Sequence, residues 1–259
     1  MLLAVDLGNT ATTLGVFEGD KLRVMWNIAT VLHCMPDEYA MILLNLLRHH
    51  SLDRSDIKEV AFCSTVPPLV GVWQEVFDRY FHISPLVVGA GTRTGVRIRM
   101  DFPREVGADR IVNAAAAHHL YGGPVIIVDM GTATTFDVVS KDGDYLGGAI
   151  APGLATAAEA LSTRTAQLPR VELAHPKRAI GTNTVAAMQS GLIFGYVGLV
   201  EGIVARIQQE LGEKAKVVAA GGYARLIASE TKVFDEVNPE LTLYGLRLVY
   251  LMNKSQEAM

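Results

Sequence analysis

Apolar and polar positions alternate along the chain in blocks of two kinds. The run LLAVDLGNTATTLGVF at residues 2–17 reads as a strand, a Gly/Thr-rich turn and a second strand, and VIIVDMGTATTFDVVS at residues 125–140 repeats it almost letter for letter. After the first run, PDEYAMILLNLLRHH (36–50) has Pro36 at a first helical position, with Met41, Leu44 and Leu47 on one face. KEVAFCSTV (58–66) reads as a strand, PPLVGVWQEVFDRYF (67–81) as a helix carrying Val70, Trp73, Val76, Phe77 and Tyr80, and SPLVVG (84–89) as a short strand. After the second run come a long helical stretch at 183–211, a strand entering a Gly-Gly turn at 216–222 and a closing helix at 241–252. Strands alternating with helices predict α/β layers.

The likeness of the two runs extends beyond the turn. Asp6 falls on Asp129, Gly8 on Gly131, Thr12 on Thr135 and Val16 on Val139, all at an offset of 123 residues (6 to 129). EGDKL (18–22) then matches DGDYL (142–146), Gly19 to Gly143, and each Gly-Asp pair reads as a hairpin turn between strands. Strand, turn, strand, hairpin and strand thus occur twice. The expected organisation is two similar halves facing each other, residues 1–115 and 116–259, each a mixed sheet flanked by helices.

Composition narrows the class. Of 259 residues 50% are hydrophobic and 19% charged, the balance of a globular chain. A formal net charge of −4 gives no basic footprint, so nucleic acid is not an expected partner. The most apolar run, GLIFGYVGLVEGIVA, is broken by Glu201 and falls short of the ~18–20 residues a membrane span needs. The N-terminus lacks a charged lead, so no secretory leader and no membrane association are expected. Cys34 and Cys63 are too few for a disulfide scaffold and read as small buried or half-buried thiols of a cytoplasmic protein.

Four segments carry candidate chemistry. In the two Asp–Gly–Thr turns, glycine permits close backbone approach, and successive amides form a nest for an anion. An aspartate there repels phosphate, and its sensible work is to hold a metal ion beside it. Two such turns would clamp one polyphosphate. No GxxxxGK[ST] loop occurs, and VVGAGTRTG (87–95) lacks the third glycine and the following helix of a dinucleotide site, so it reads as a plain loop. In PREVGADRIVNAAAAHHLYGG (103–123), Asp109 opens an Ala-rich helix ending at Gly122. The plainer reading is a helix cap; the sharper makes Asp109 a general base for a substrate hydroxyl and Arg110 a clamp for an anionic group. GTNTVAAMQSG (181–191) reads as a capped helix start, and VVAAGGYARL (217–226) offers a Gly-Gly turn against which an adenine would lie. Gly191, Gly195, Gly198 and Gly202 recur three or four apart in the long helix, where each costs about 1 kcal/mol relative to Ala and calls for close helix contact, within the domain or across a dimer. His49–His50 and His118–His119 sit at adjacent helical positions that diverge, so neither pair is expected to chelate a metal.

DLGNT, EVGADRIVNA, DMGTATTFD, GTNTVAAMQSG, the late AAGG and the closing LTLYGL, in this order, resemble the type III pantothenate kinase family over essentially the whole chain. The resemblance implies the actin-like ATPase fold of sugar and acetate kinases and heat-shock ATPases, with two duplicated ribonuclease-H-like halves. It implies ATP-dependent phosphorylation of pantothenate at its primary hydroxyl, the first step toward coenzyme A. It places ATP on Asp6, Leu7, Gly8, Asn9, Thr10, Ala11, Thr12, Thr13 and Thr132, with Asp6 near the nucleotide's magnesium. It places a monovalent cation, potassium or ammonium, on Asp129. Gly107, Ala108, Asp109, Arg110 and Thr184 take the pantothenate, Asp109 accepting the proton, and the family implies a homodimer. Many members carry Tyr-x-Asn-Pro where this chain has Met100, Asp101, Phe102 and Pro103. A non-catalytic regulatory relative, or another kinase or phosphatase of the same fold, is the alternative reading.

Overall fold

A computed structural model describes residues 1–257, in which the chain divides into two units. The first comprises residues 1–95, 102–116 and the chain from Thr242 onward; the second comprises residues 96–101 and 117–241.

The first unit is built on a five-stranded sheet. β1 (Leu2–Leu7) pairs antiparallel with β2 (Ala11–Glu18), which turns at Gly19 (φ 63°) into β3 (Lys21–Ala29). On its other side β1 runs parallel to β4 (Glu59–Ser64), which is followed by β5 (Leu86–Val87), giving the order β3-β2-β1-β4-β5. Alternation decides which face each residue serves. Leu3, Val5, Leu7, Leu14 and Val16 enter one core with Tyr39 and Leu43 of α1 (Pro36–His49) and Trp73 and Val76 of α2 (Pro67–Val76). The helix expected to run through residue 81 ends at 76 and passes into a single wider turn over Phe77–Phe81, stopped by His82 at φ 56°. On the opposite face, Gly15 lets Leu243 approach the strand, with a β-carbon at residue 15 falling 2.7 Å from Leu243 Cδ1. Leu243 belongs to α7 (Leu241–Glu257), which also packs on α3 (Ala108–Tyr121) where Gly245 meets the backbone of Val112.

The second unit repeats this plan. β7 (Val125–Met130) pairs antiparallel with β8 (Ala133–Val139), which turns at Gly143 (φ 78°) into β9 (Asp144–Pro152); β10 (Lys216–Ala220) runs parallel to β7 and β11 (Glu236–Val237) follows it. The order β11-β10-β7-β8-β9 mirrors the first sheet, and β6 (Arg97–Ile98) is added in parallel on the β9 edge. Even the register irregularity recurs, between Val16 and Phe17 in one copy and Val138 and Val139 in the other. Ile126, Val128, Met130, Phe136 and Val138 pack under α4 (Leu154–Arg164), α5 (Thr184–Leu211) and α6 (Ala224–Ala228). α5 is long and apolar enough to cross a membrane, yet its apolar stripe, with Ile193, Val197 and Val200, is spent on this sheet.

Two segments cross the expected boundary at 115/116. Residues 96–101 join the second unit because β6 finds the open edge of β9, while the chain from Thr242 onward returns to the first because α7 docks on β2 and α3. The loop before β6 is tied to α7 as well: Asn253 accepts the Arg93 amide at 3.1 Å and donates to the Arg93 carbonyl at 2.9 Å.

Replacing a helical glycine by alanine normally stabilises by about 1 kcal/mol. At Gly245 the added carbon falls 2.4 Å from the Val112 carbonyl oxygen, so Gly245→Ala is expected to destabilise instead, by about 1–3 kcal/mol. A urea unfolding curve with an unchanged or raised midpoint would remove α7 from its place in the first unit.

Candidate functional site

The polar residues singled out in the sequence gather at the strand tips of the two sheets. In the first unit Asp6 ends β1, half-buried, opposite Thr13 on β2 and in register with Cys63 on β4. Beyond it the chain makes a tight loop. The Gly8 amide donates to the Ala11 carbonyl at 3.1 Å, and a β-carbon at Gly8 would lie 2.9 Å from that oxygen. The Thr30 amide donates to the Thr10 carbonyl at 3.1 Å and Asn9 Nδ2 donates to Thr65 Oγ1 at 3.3 Å, so the loop is braced from both sides. Asn9, Thr10 and Ala11 are exposed at the tip, as an anion-binding loop requires. Leu7 and Thr12 point the other way. Leu7 is in the core, and Thr12 is buried with its hydroxyl 2.8 Å from that of Thr30, so these two offer backbone rather than side chain.

Asp109 is the second residue of α3. The Ile111 amide donates to the Gly107 carbonyl at 3.2 Å, which makes Gly107 the capping position and sets Asp109 in the first turn, two residues past the cap. A β-carbon at Gly107 would sit 2.5 Å from Asp109 Oδ1, so the glycine is what lets the carboxylate fold back over the helix start. Ala108 and Arg110 flank it, both half-buried.

Cys63 belongs to the same neighbourhood, although its sequence context pointed only to a buried thiol. Its Sγ donates to Asp6 Oδ1 at 3.5 Å. Burial pushes the thiol well above its ordinary value, and the charges of Asp6 and then Asp109 push it further, so it stays a neutral donor. Asp6, Cys63 and Asp109 therefore face one another within the first unit. The signal available in the sequence was only that Cys63 lies four residues before Pro67 at the end of a strand, which is too little to place it.

In the second unit Asp129 ends β7, opposite Thr135 on β8 and Ala220 on β10. The Gly-Gly turn after β10 packs directly on it: Gly221 has φ 85°, and a β-carbon there would lie 2.4 Å from Asp129 Oδ1. Thr132 is exposed at the hairpin tip, its carbonyl accepting from the Gly153 amide at 3.1 Å and from Thr156 Oγ1 at 2.7 Å. The start of α4 thereby fixes the tip. The two tips differ by one residue, with four residues between Leu7 and its partner Thr12 and three between Met130 and its partner Thr134. By strand pairing Thr135 therefore matches Thr13, not the Thr12 that letter-by-letter alignment gives.

Thr184 is the first residue of α5, capped by Asn183, whose Oδ1 accepts the Ala186 amide at 2.9 Å. It lines an open cleft of about 630 Å³ whose walls include Leu161, Leu168, Gly181 and Met188. Gly181 is obligatory, since a β-carbon would fall 2.3 Å from the Ala187 amide nitrogen. Met100 packs its sulfur over Gly147, 2.7 Å from where a β-carbon would stand, and Phe102 is exposed. The histidine pairs serve structure: His50 Nδ1 lies 3.2 Å from Trp26 Nε1, and His118 contacts the Lys141 carbonyl.

Comparisons with known proteins identify the family and the fold. The sequence profile of the type III pantothenate kinase family matches residues 2–206. A type III pantothenate kinase of Dehalococcoides mccartyi (strain CBDB1) is 59% identical over 253 residues, covering 98% of this chain and 96% of that protein. One from Moorella thermoacetica is 53% identical over 253 residues, covering 98% of this chain and all of its own. Solved structures share the fold at low identity. The activator of the 2-hydroxyisocaproyl-CoA dehydratase of Clostridium difficile, determined with bound ADPNP, superposes with a TM-score of 0.54 at 13% identity, covering 100% of this chain and 97% of that one. The ethanolamine utilization protein EutJ of Carboxydothermus hydrogenoformans gives 0.56 at 16% identity, covering 95% and 89%. The architecture is thus the actin-like ATPase fold, α/β with mixed sheets flanked by helices.

Proposed function

Because the chain belongs to the type III pantothenate kinase family, we propose that it transfers the γ-phosphate of ATP to the primary hydroxyl of pantothenate, giving 4'-phosphopantothenate for coenzyme A biosynthesis. The observation that carries the mechanism is Asp109, folded back over Gly107 at the start of α3 in the same unit as Asp6. Phosphoryl transfer asks a protein chiefly to position the reactants, neutralise charge and orient the nucleophile. Asp109 accepts the proton of the pantothenate hydroxyl at its carboxylate, and Arg110 and Thr184 hold the substrate. The exposed loop at Asn9, Thr10 and Ala11 takes phosphates, with Gly8 and Thr13 shaping it from within, and Thr132 is the nucleotide contact of the second unit.

Magnesium suits Asp6, since that ion is commonly held by one or two carboxylates together with substrate phosphates and water; when bound it neutralises charge on the transferring group. A monovalent cation, potassium or ammonium, suits Asp129, whose carboxylate lies in a cradle that a β-carbon at Gly221 would fill. The site of action is the cytoplasm, in keeping with two free thiols.

The assembly is a homodimer. Apart from the helix's own backbone, Gly191, Gly195 and Gly198 have no heavy atom of the described residues within 4 Å of where a β-carbon would stand, so no described neighbour offsets their cost in α5. A second copy of the helix does. Light scattering is expected to return twice the chain mass, falling to one in Gly195→Leu; a monomeric wild-type protein rules the dimer out.

Asp109→Asn removes the base and keeps the shape. It is expected to unfold at the wild-type temperature and bind ATP normally while losing about 10²- to 10⁴-fold in turnover of ATP with pantothenate. Turnover like that of the wild-type protein would sink the assignment of the base.

A further inference from the structure

Asp137 has no solvent exposure, although it lies on a strand otherwise lined by Phe136, Val138 and Val139. Burying a carboxylate is costly unless its oxygens are satisfied. Here they are: Tyr145 donates its hydroxyl to Oδ1 at 2.6 Å and Thr135 donates to Oδ2 at 3.0 Å. Tyr145 is itself fully buried. The fold alone does not ask for this arrangement. By strand pairing the first copy of the hairpin has Gly15 opposite Ala4 where the second has Asp137 opposite Ile127, and it builds the same pair of strands without an acid.

The consequence falls on Thr135. A threonine hydroxyl has one proton and two acceptor positions, and an ionised carboxylate can only accept. With its proton committed to Asp137, the Thr135 oxygen faces its other neighbours only as an acceptor. Thr135 is paired across the hairpin with Asp129, so the two side chains share a face with β-carbons about 4.5–5.5 Å apart. A hydroxyl locked as an acceptor beside a carboxylate suits a cation and not a phosphate oxygen. In the first unit the matching hydroxyl, Thr13, also donates its proton, to the neutral amide oxygen Oδ1 of Asn27 at 2.9 Å, so what sets the second copy apart is the buried carboxylate that takes the proton there.

We propose that Asp137 and Tyr145 are positioning residues that lock the Thr135 hydroxyl as an acceptor, making Thr135 an oxygen ligand for the monovalent cation at Asp129. The role rests on the reading of Asp129 as the cation site. The cation, weakly hydrated and bound through oxygens, is held by a carboxylate and an oriented hydroxyl, and the Asp137–Tyr145 pair supports that hydroxyl from below.

The test is a potassium titration, with choline chloride holding ionic strength constant, followed by thermal shift and in parallel by the activation of turnover. Loss of an outer partner of a metal ligand typically weakens the ion about 10- to 100-fold. Thr135→Val and Tyr145→Phe are each expected to raise the potassium concentration giving half the thermal shift by that order, with turnover recovered at saturating potassium. Asp137→Asn is expected to act in the same direction, and the two milder variants carry the test where it fails to fold. Asp129→Asn is expected to abolish the response. If Asp129→Asn abolishes it while Thr135→Val and Tyr145→Phe keep the wild-type half-saturation, the positioning role is overturned and the Asp129 reading stands. If Asp129→Asn keeps the wild-type response, the Asp129 reading falls and the positioning role falls with it.

Discussion

The structure depends on one constraint, applied twice: a strand buried on both faces must end in a carboxylate that faces a hydroxyl across a tight hairpin. The antiparallel register sets Asp6 opposite Thr13 and Asp129 opposite Thr135. Side chains alternate along a strand, so this pairing puts each acid on the face away from the large apolar core. Glycine at position 8 is what lets the first turn close on the Ala11 carbonyl. Cys63 in the first unit, and Thr135 with Asp137 and the Gly221 turn in the second, are then set beside these two carboxylates.

The two copies share a geometry, and their surroundings differ. At the first tip the carboxylate meets a buried, neutral thiol, which also feels the charge of Asp109 at the start of α3. At the second tip a glycine turn closes over the carboxylate, and the hydroxyl opposite is tied to a second, buried acid. A site for phosphates with magnesium and a site for a weakly hydrated monovalent cation are what these two surroundings suit.

Much of this was legible in the sequence. The duplicated hairpin showed in the matched letters, and Gly19 and Gly143 marked turns that take positive φ in both copies. The helices at 36–49 and 184–211 followed from apolar spacing, and Pro36 marked a helix start, but the face read as Met41, Leu44 and Leu47 is instead Tyr39, Ala40, Leu43 and Leu47, with Met41 exposed. What the sequence hid was set by long-range contact. A one-residue difference in turn length is invisible to alignment when both turns are rich in threonine, so Thr12 seemed to match Thr135. The placement of β6 and α7 depended on an open strand edge and on the small residues Gly15 and Gly245, whose partners lie more than a hundred residues away. Asp137 was visible as an acid in an apolar run, but only Tyr145, brought alongside by the next hairpin, explains why it is tolerated there.

The central claim is that these tips serve phosphate transfer to one alcohol, and ³¹P NMR reads it directly. With ATP, magnesium, potassium and pantothenate, one new phosphomonoester resonance is expected for each ADP formed, absent when pantothenate is omitted and strongly reduced when choline replaces potassium. ADP with free phosphate and no phosphomonoester, or no turnover with pantothenate present, would contradict the account.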